Sequence, residues 1–463
     1  MTTIAHEGTT STGFALWWRR FWVPVVLVLI ALGYSGTTTL LHTKALSPVD
    51  EWVYSDYLDK VPTELMVHQG EFIGPEALGR IACDGVYPYG PMGQPCGSSY
   101  NNPAKFPFAG KTSADAYTPI YFASTWAIGK VFHLIPGVSE LEGWRLTGAL
   151  WLAATMVMLY LVFRRFAIHP VAIIGLGTAF IVSPFSWWTY TYVSTDAPSA
   201  FFGALLLLLT LRYLSGKGSG WWIVGFSALA VLVKVTNILG VCLAALVLLL
   251  NWLWEVRRTR WTDGWRSLRP AVGRRSLGLP LFGVLAVAAA VIAQLGWLAL
   301  HRALAVGPAA EQGISGPLGG KALLEQTVSF LPGTLTSNVI IAGSGGSSAL
   351  PMYGWALAPL SWLCVVGVLG AFFALRMRTR LAPLVVSTAI ASVLFAPMLA
   401  VVVKITTGSY FPLPARYGAV LLVAFLLMAA IQLKNRWASW IVLGYSVALG
   451  VAMVALTYQL SLH

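Results

Sequence analysis

Apolar runs of about twenty residues recur along this chain from residue 22 to residue 459, and that repetition limits what it can fold into. A helix of roughly twenty such residues crosses about 30 Å of hydrocarbon. Of the 463 residues 57% are hydrophobic and only 10% charged, a surplus that no single water-soluble core could bury. Lipid is therefore the expected solvent, and the sequence predicts an all-α polytopic membrane protein.

The runs place spans at 22–41, 146–163, 168–188, 197–214, 220–233, 237–254, 279–301, 354–375, 381–403, 418–433 and 437–459, about eleven in all. Residues 1–21 read as a cytoplasmic tail and 22–459 as one transmembrane domain, with no separate soluble domain. Within it, 42–145 forms a large first outer loop carrying juxtamembrane helices, 255–278 a basic cytoplasmic loop, and 303–353 a second outer loop. No small-residue cleavage site follows the first run directly, so we read 22–41 as a retained helix and keep a signal peptide as the alternative.

The net charge of +13 does not indicate nucleic acid, because the basic residues sit in short clusters that punctuate apolar runs and form no continuous face. They read as topology signals. With the N-terminus inside, the cytoplasmic connections hold 18 of the 30 basic residues, including Arg164, Arg165, Arg212, Lys217 and the cluster from Arg257 to Arg275, but only three of the 17 acidic ones. Lys and Arg in short loops set orientation, which predicts a multi-pass protein of the plasma (inner) membrane. Segment 117–135 (YTPIYFASTWAIGKVFHLI) is apolar enough to pass for a further span. Its crossing would turn the 257–275 cluster outward against the rule, so we place it on or dipping into the outer surface.

Two of the four cysteines, Cys83 and Cys96, share the first outer loop. In an oxidising compartment they are expected to form a disulfide, the alternative being two free thiols.

The candidate chemistry gathers on the outer side. Asp50 and Glu51 follow the first span by a few residues. A carboxylate at a water-lipid boundary can serve as general base for an acceptor hydroxyl, since partial burial raises its pKa while water stays in reach. Capping of the following WVYSDYLDKV stretch is the structural alternative. Asp196, after the third span, faces the same choice, because Thr195-Asp196 ahead of Pro198 is also a helix start. Lys234, at a tight outer turn, and Arg416, opening the tenth span beside Tyr417, stand apart from the cytoplasmic clusters. Such cations can hold an anionic lipid phosphate at headgroup level, or merely snorkel. Lys404, and Arg302 beside His301, are weaker candidates at comparable depth. The Gly- and Ser-rich 303–353 loop is expected to lack regular structure and to cover the site. It offers no strand-loop-helix setting for a nucleotide.

In this order along the chain, Asp50-Glu51, Tyr117-Thr118-Pro119-Ile120-Tyr121, Trp144-Arg145-Leu146-Thr147, Asp196, Lys234 and Arg416-Tyr417 resemble the motifs of the GT-C superfamily of membrane glycosyltransferases. The likeness is to the group of protein O-mannosyltransferases and lipid A aminoarabinose transferases. That resemblance implies an inverting transfer of a sugar from a polyprenyl-phosphate donor to a glycan, lipid or protein acceptor of the cell envelope, on the outer face. Asp50 would take the acceptor proton, Glu51 and Asp196 would position the acceptor or a cation, and Lys234, Arg416 and Tyr417 would bind the donor phosphate. A divalent cation is compatible with this set, though no ligand pattern demands one. The rival reading, a transporter or flippase of a lipid-linked or anionic substrate, predicts internal repeats and ionisable groups near mid-membrane. A third, a structural partner in an envelope assembly, predicts no intact site.

Overall fold

A computed structural model describes residues 13–42, 44–48, 50–263, 274–311, 316–337, 354–375, 379, 381–408 and 410–461. No strand forms among them, only isolated bridges. The helices are α1 (Gly13–Leu40), α2 (Glu51–Glu64), α3 (Pro75–Cys83), α4 (Pro119–His133), α5 (Glu140–Phe163), α6 (Pro170–Ile181), α7 (Pro184–Thr191), α8 (Ser199–Leu214) and α9 (Gly220–Val233). They continue as α10 (Ile238–Asp263), α11 (Arg274–Ala303), α12 (Gly320–Thr336), α13 (Gly354–Phe373), α14 (Ala382–Thr407), α15 (Leu422–Gln432) and α16 (Arg436–Ser461).

Among the described residues, eight helical stretches are long and apolar enough to cross a membrane, and the bent pair α6 and α7, taken as one span, makes a ninth. Helices α8 and α9 are apolar but shorter. At 1.5 Å per residue they rise about 24 and 21 Å, less than the roughly 30 Å of hydrocarbon. Helix α8 begins just after Asp196 and α9 stops at Lys234, so both abut the same buried charged centre.

Three expectations need correction. The run 168–188 is not one straight span: it breaks at Val182 and Ser183 and turns by 63°. Ser183 caps α7 by accepting a hydrogen bond from the Ser186 N–H, and Pro184 occupies its first turn, a strong local start signal. The basic segment 255–278 is largely helical, since α10 continues to Asp263 and α11 begins at Arg274. Residues 264–273 lie outside the described residues. The loop 303–353 contains α12, whose Phe330, Leu331 and Leu335 enter the main core; 312–315 and 338–353 lie outside the described residues.

The first outer loop is folded around its own apolar cluster. Leu46, Tyr57, Ile81, Phe106 and Phe122 meet there, and Trp144 and Val193 tie it to the bundle. Cys83 and Cys96 are joined in a disulfide across thirteen residues of this loop. Segment 117–135 forms the fifteen-residue helix α4, which packs against α2 and α5. Two glycines set close approaches around the centre. A Cβ on Gly203 of α8 would lie 1.7 Å from the Val420 carbonyl oxygen, and one on Gly148 of α5 would lie 2.3 Å from that of Tyr190. These contacts bring the short 3-10 segment Ala415–Leu421 and α7 against the bundle.

Candidate active site

Asp50 sits where the chain turns from α1 into α2, with φ at +58°. Asp tolerates this left-handed conformation better than most residues. Although Asp50 occupies the N-cap position of α2, its side chain makes no capping hydrogen bond. Its Oδ2 instead accepts a long hydrogen bond from the Tyr54 hydroxyl, at 3.4 Å. Burial raises the Asp50 carboxyl above the ordinary carboxylate range, and the nearby Arg416 and Lys234 charges counteract it in part.

Asp196 does not cap a helix either; the N-cap of α8 is Pro198. Its Oδ1 accepts from Lys234 Nζ at 2.6 Å and its Oδ2 from Arg416 Nε at 3.1 Å. All three are buried or nearly so. Lys234 is placed there because α9 ends at Val233 and the backbone turns extended at Lys234 before the next helical segment. Irregular backbone near membrane depth is tolerated where it is buried in protein or lines a polar cavity. Lys234 Nζ also donates to Thr195 Oγ1 at 3.1 Å, and Thr195 Oγ1 lies 3.2 Å from the Tyr54 hydroxyl. The Tyr54 hydroxyl also lies 3.0 Å from the Tyr117 hydroxyl, where, with its one proton given to Asp50, it accepts. The Tyr417 ring lies 5.5 Å from both Lys234 Nζ and the Arg416 guanidinium carbon.

Five residues expected from the sequence therefore converge. Asp50, Asp196, Lys234, Arg416 and Tyr417 are joined through Tyr54 and Thr195, neither of which the sequence marked as a site residue. The first is one turn from Asp50 on α2 and the second is next to Asp196. Helix α12 braces the Arg416 segment from behind: a Cβ on Gly418 would meet Thr334 Oγ1 at 2.9 Å and Phe330 at 3.0 Å.

Glu51 is placed differently. Its Oε1 accepts from Arg145 Nε at 2.9 Å and the Val193 N–H at 2.8 Å. Its Oε2 accepts from Arg145 Nη2 and the Ser47 N–H, both at 2.8 Å. The side chain is wholly buried and Arg145 is only 2% exposed. Arg145 Nη2 also donates to the Ala45 carbonyl, and its guanidinium stacks 4.8 Å over Tyr192. A carboxylate so saturated ties the Ser47 and Val193 segments to α5, and has no lone pair left over for acceptor or cation. In place of the part expected for Glu51 beside Asp50 in the chemistry, we propose a supporting one.

The weaker candidates lie elsewhere. Lys404 donates to the Gly408 carbonyl at 2.7 Å, Arg302 is exposed, and His301 pairs with Asp115 at 2.9 Å. Among the described residues, the cluster that could hold a metal ion is Glu64, His68 and Glu71. It lies at the far end of α2, with Glu64 about 20 Å along the helix from Asp50, and Glu71 is shared with Lys60 at 3.5 Å.

Ser47, Trp188, Tyr192, Asp196 and Arg416 line a cavity of about 10 Å³ beside the centre, room for about one water. The larger apolar groove, about 680 Å³, runs between α1, α6 and α16 and is lined by Ile30, Tyr34, Leu41, Val182 and Leu443. The His42 ring, next to Leu41, lies tilted against the Tyr192 ring at 4.1 Å and the Trp187 ring at 4.6 Å.

No protein-family model and no curated protein sequence matches the chain. Among solved structures, it is similar to ArnT of Cupriavidus metallidurans bound to undecaprenyl phosphate, at 16% identity and a TM-score of 0.44, covering 94% of this chain and 63% of that one. It is similar to the oligosaccharyltransferase AglB of Archaeoglobus fulgidus in complex with an inhibitory peptide and a dolichol-phosphate, at 13% identity and a TM-score of 0.44, covering 96% and 56%. The Archaeoglobus fulgidus oligosaccharyltransferase tethered to an acceptor peptide is similar at 14% identity and a TM-score of 0.43, covering 96% and 55%. The chain thus spans between about half and two thirds of the length of these proteins.

Proposed function

We propose that this protein is a membrane glycosyltransferase that moves a sugar from a polyprenyl-phosphate donor to a hydroxyl of a cell-envelope glycan, lipid or protein, with inversion, on the outer face of the plasma (inner) membrane. The observation that carries the proposal is the convergence of Asp50, Asp196, Lys234 and Arg416, contributed by four distant parts of the chain, into one network.

In the proposed step the acceptor oxygen forms a bond to the anomeric carbon while the bond from that carbon to the phosphate oxygen breaks. The acceptor proton passes to Asp50, whose half-buried carboxylate accepts only one long hydrogen bond among the described residues. Charge is conserved: a phosphodiester monoanion and a carboxylate become a phosphate dianion and a neutral acid. One negative charge thus migrates from Asp50 to the leaving phosphate, and the Lys234 and Arg416 cations stabilise it more as the reaction proceeds. Arg416 engages Asp196 through Nε, and its terminal amino groups make no hydrogen bond among the described residues, so they are available for phosphate. Asp196 holds both cations in place.

The apolar groove between α1, α6 and α16 suits a hydrocarbon chain. It ends at Leu41, one residue from the His42 ring that packs on Tyr192 at the edge of the small cavity. The cavity itself holds about one water, so binding of a sugar requires the segments around Arg416 and Ser47 to part.

Turnover of a panel of polyprenyl-phosphate sugars by the purified protein in nanodiscs tests the proposal, with Asp50→Asn as the comparison. Turnover by the wild type and near-total loss in the folded variant supports it. An equally active variant removes Asp50 from the chemistry. Movement of the donor between leaflets with no transfer would favour a flippase.

A further inference from the structure

The Asp50 centre lies at one end of α5 and α8, and the opposite ends hold a second charged feature that the proposed reaction does not use. Arg145, locked to Glu51, and Arg164 are nineteen residues apart on one continuous helical stretch, Glu140–Phe166, about 28 Å along its axis. They therefore lie at opposite faces of a membrane. At the far face, Arg164, Arg165, Arg212 and Lys217 line a cavity of about 520 Å³ together with Leu161 and Leu208.

All four are exposed, and their like charges around one cavity give it a positive potential that attracts an anion. None of the four pairs with a carboxylate among the described residues. Arg165 Nη2 is anchored by Ser215 Oγ at 2.7 Å and the Leu211 carbonyl at 3.3 Å, which accounts for one of them by favourable contact with a helix end. The side chains of Arg164, Arg212 and Lys217 make no hydrogen bond with another described residue.

The surroundings select a lipid over a soluble anion. Leu161 lies three residues before Arg164 on α5, and Leu208 four before Arg212 on α8, so each presents an apolar wall one turn deeper into the bilayer below a cation. Trp221 and Trp222, 64% and 59% exposed, open α9 four and five residues after Lys217. Exposed tryptophans at a helix start mark the headgroup level. We infer that this cavity is a binding site for the phosphate headgroup of an anionic phospholipid in the leaflet opposite the Asp50 centre, with the acyl chains lying against Leu161 and Leu208. Basic pockets between helices are suited to such headgroups.

The test is native mass spectrometry of the detergent-purified full chain, titrated with phosphatidylglycerol, phosphatidylcholine or inorganic phosphate. The wild type should retain phosphatidylglycerol at least tenfold more tightly than phosphatidylcholine, and phosphate ion weakly. Arg164→Gln with Arg212→Gln should weaken the anionic lipid by about fivefold for each cation removed. Lys217→Gln, in a surface turn where folding is not at risk, should do so by about fivefold alone. Arg436→Gln, which removes a cation outside the cavity, should leave binding unchanged. Equal binding of the two lipids by the wild type, or an unchanged preference in Lys217→Gln, overturns the inference. Phosphate ion competing as tightly as phosphatidylglycerol overturns the lipid assignment.

Discussion

Replacing Glu51 by Gln changes one atom of a buried carboxylate, and the surrounding geometry fixes the consequence. Arg145 Nε and the Val193 N–H point at Oε1, and Arg145 Nη2 and the Ser47 N–H point at Oε2. In either orientation the new amide nitrogen meets two N–H donors, so two of the four hydrogen bonds are lost. The buried guanidinium also loses its counter-charge. Hydrogen bonds to charged groups contribute about 1.5–3 kcal/mol each, but summing them overcounts, because the desolvation is shared. Removing one partner of a buried ion pair costs about 3–5 kcal/mol, a large part of the roughly 5–15 kcal/mol that holds a domain together.

Asp50→Asn, one residue away, should do the reverse. Burial raises the Asp50 carboxyl, so the fold favours its neutral form. Its contribution to stability is therefore full below the ordinary value of about 3.9 and is lost as pH rises through the raised value. A neutral Asn removes that penalty at neutral pH, and the thermal midpoint should stay level or rise while turnover drops about 10²- to 10⁴-fold, the range for a general base. Thermal unfolding followed by tryptophan fluorescence, with size exclusion as a check on folding, separates the two variants. A wild-type midpoint for Glu51→Gln together with lost turnover would refute the supporting role and return Glu51 to the chemistry.

The remaining predictions concern the same centre. Because a base must be ionised and the Asp50 carboxyl is raised, the acid limb of the pH-rate profile should fall at a pH above that of an ordinary carboxylate; a limb at or below about 3.9 contradicts this. Arg416→Ala and Lys234→Ala should each weaken polyprenyl-phosphate binding by roughly ten- to a hundredfold, the worth of one charge-assisted hydrogen bond, measured by lipid titration in nanodiscs. Binding unaltered in both variants would place the phosphate elsewhere. Gly203→Ala should push the Val420 carbonyl, 1.7 Å from the added carbon, and shift the Arg416 segment, lowering both the thermal midpoint and donor binding; a silent substitution would mean that α8 and this segment slide freely.

How much of this was legible in the sequence depended on range. Bilayer thickness imposes a length on each span, so the eleven apolar runs map onto the long helices, the bent pair and the two short ones. The break in 168–188 was written locally as Ser183-Pro184, but the apolar run on both sides masked it. Helix α12 escaped notice because Gly and Ser dominate its flanks, while its own seventeen residues carry Lys321, Glu325 and Pro332. In the site, Asp50, Asp196, Lys234 and Arg416 announced themselves as charges next to apolar runs. The partnership of Glu51 with Arg145 did not, since 94 residues separate them and only the packing of α5 against the first loop joins them. Tyr54 and Thr195 gave no compositional signal, because hydroxyls that bridge charges look like any other surface polar residue until the fold assembles them.

The two carboxylates that do converge are not interchangeable, and their surroundings favour different roles in the proposed reaction. Asp196 has each oxygen bound to a separate cation, at 2.6 and 3.1 Å. Removing that charge, as in Asp196→Asn, would break two buried ion pairs and leave both cations uncompensated, a loss of several kcal/mol. Asp50 has a single 3.4 Å contact to a neutral hydroxyl and is half-buried, so protonation disturbs little and relieves a desolvated charge. In the proposed reaction a proton arriving at this centre would go to Asp50, while Asp196 would keep Lys234 and Arg416 within reach of the place where phosphate charge accumulates. Removing Arg416 and Lys234 together would leave the Asp196 carboxylate without either of its buried partners and would take away the cations on which the proposed transfer of charge to phosphate depends.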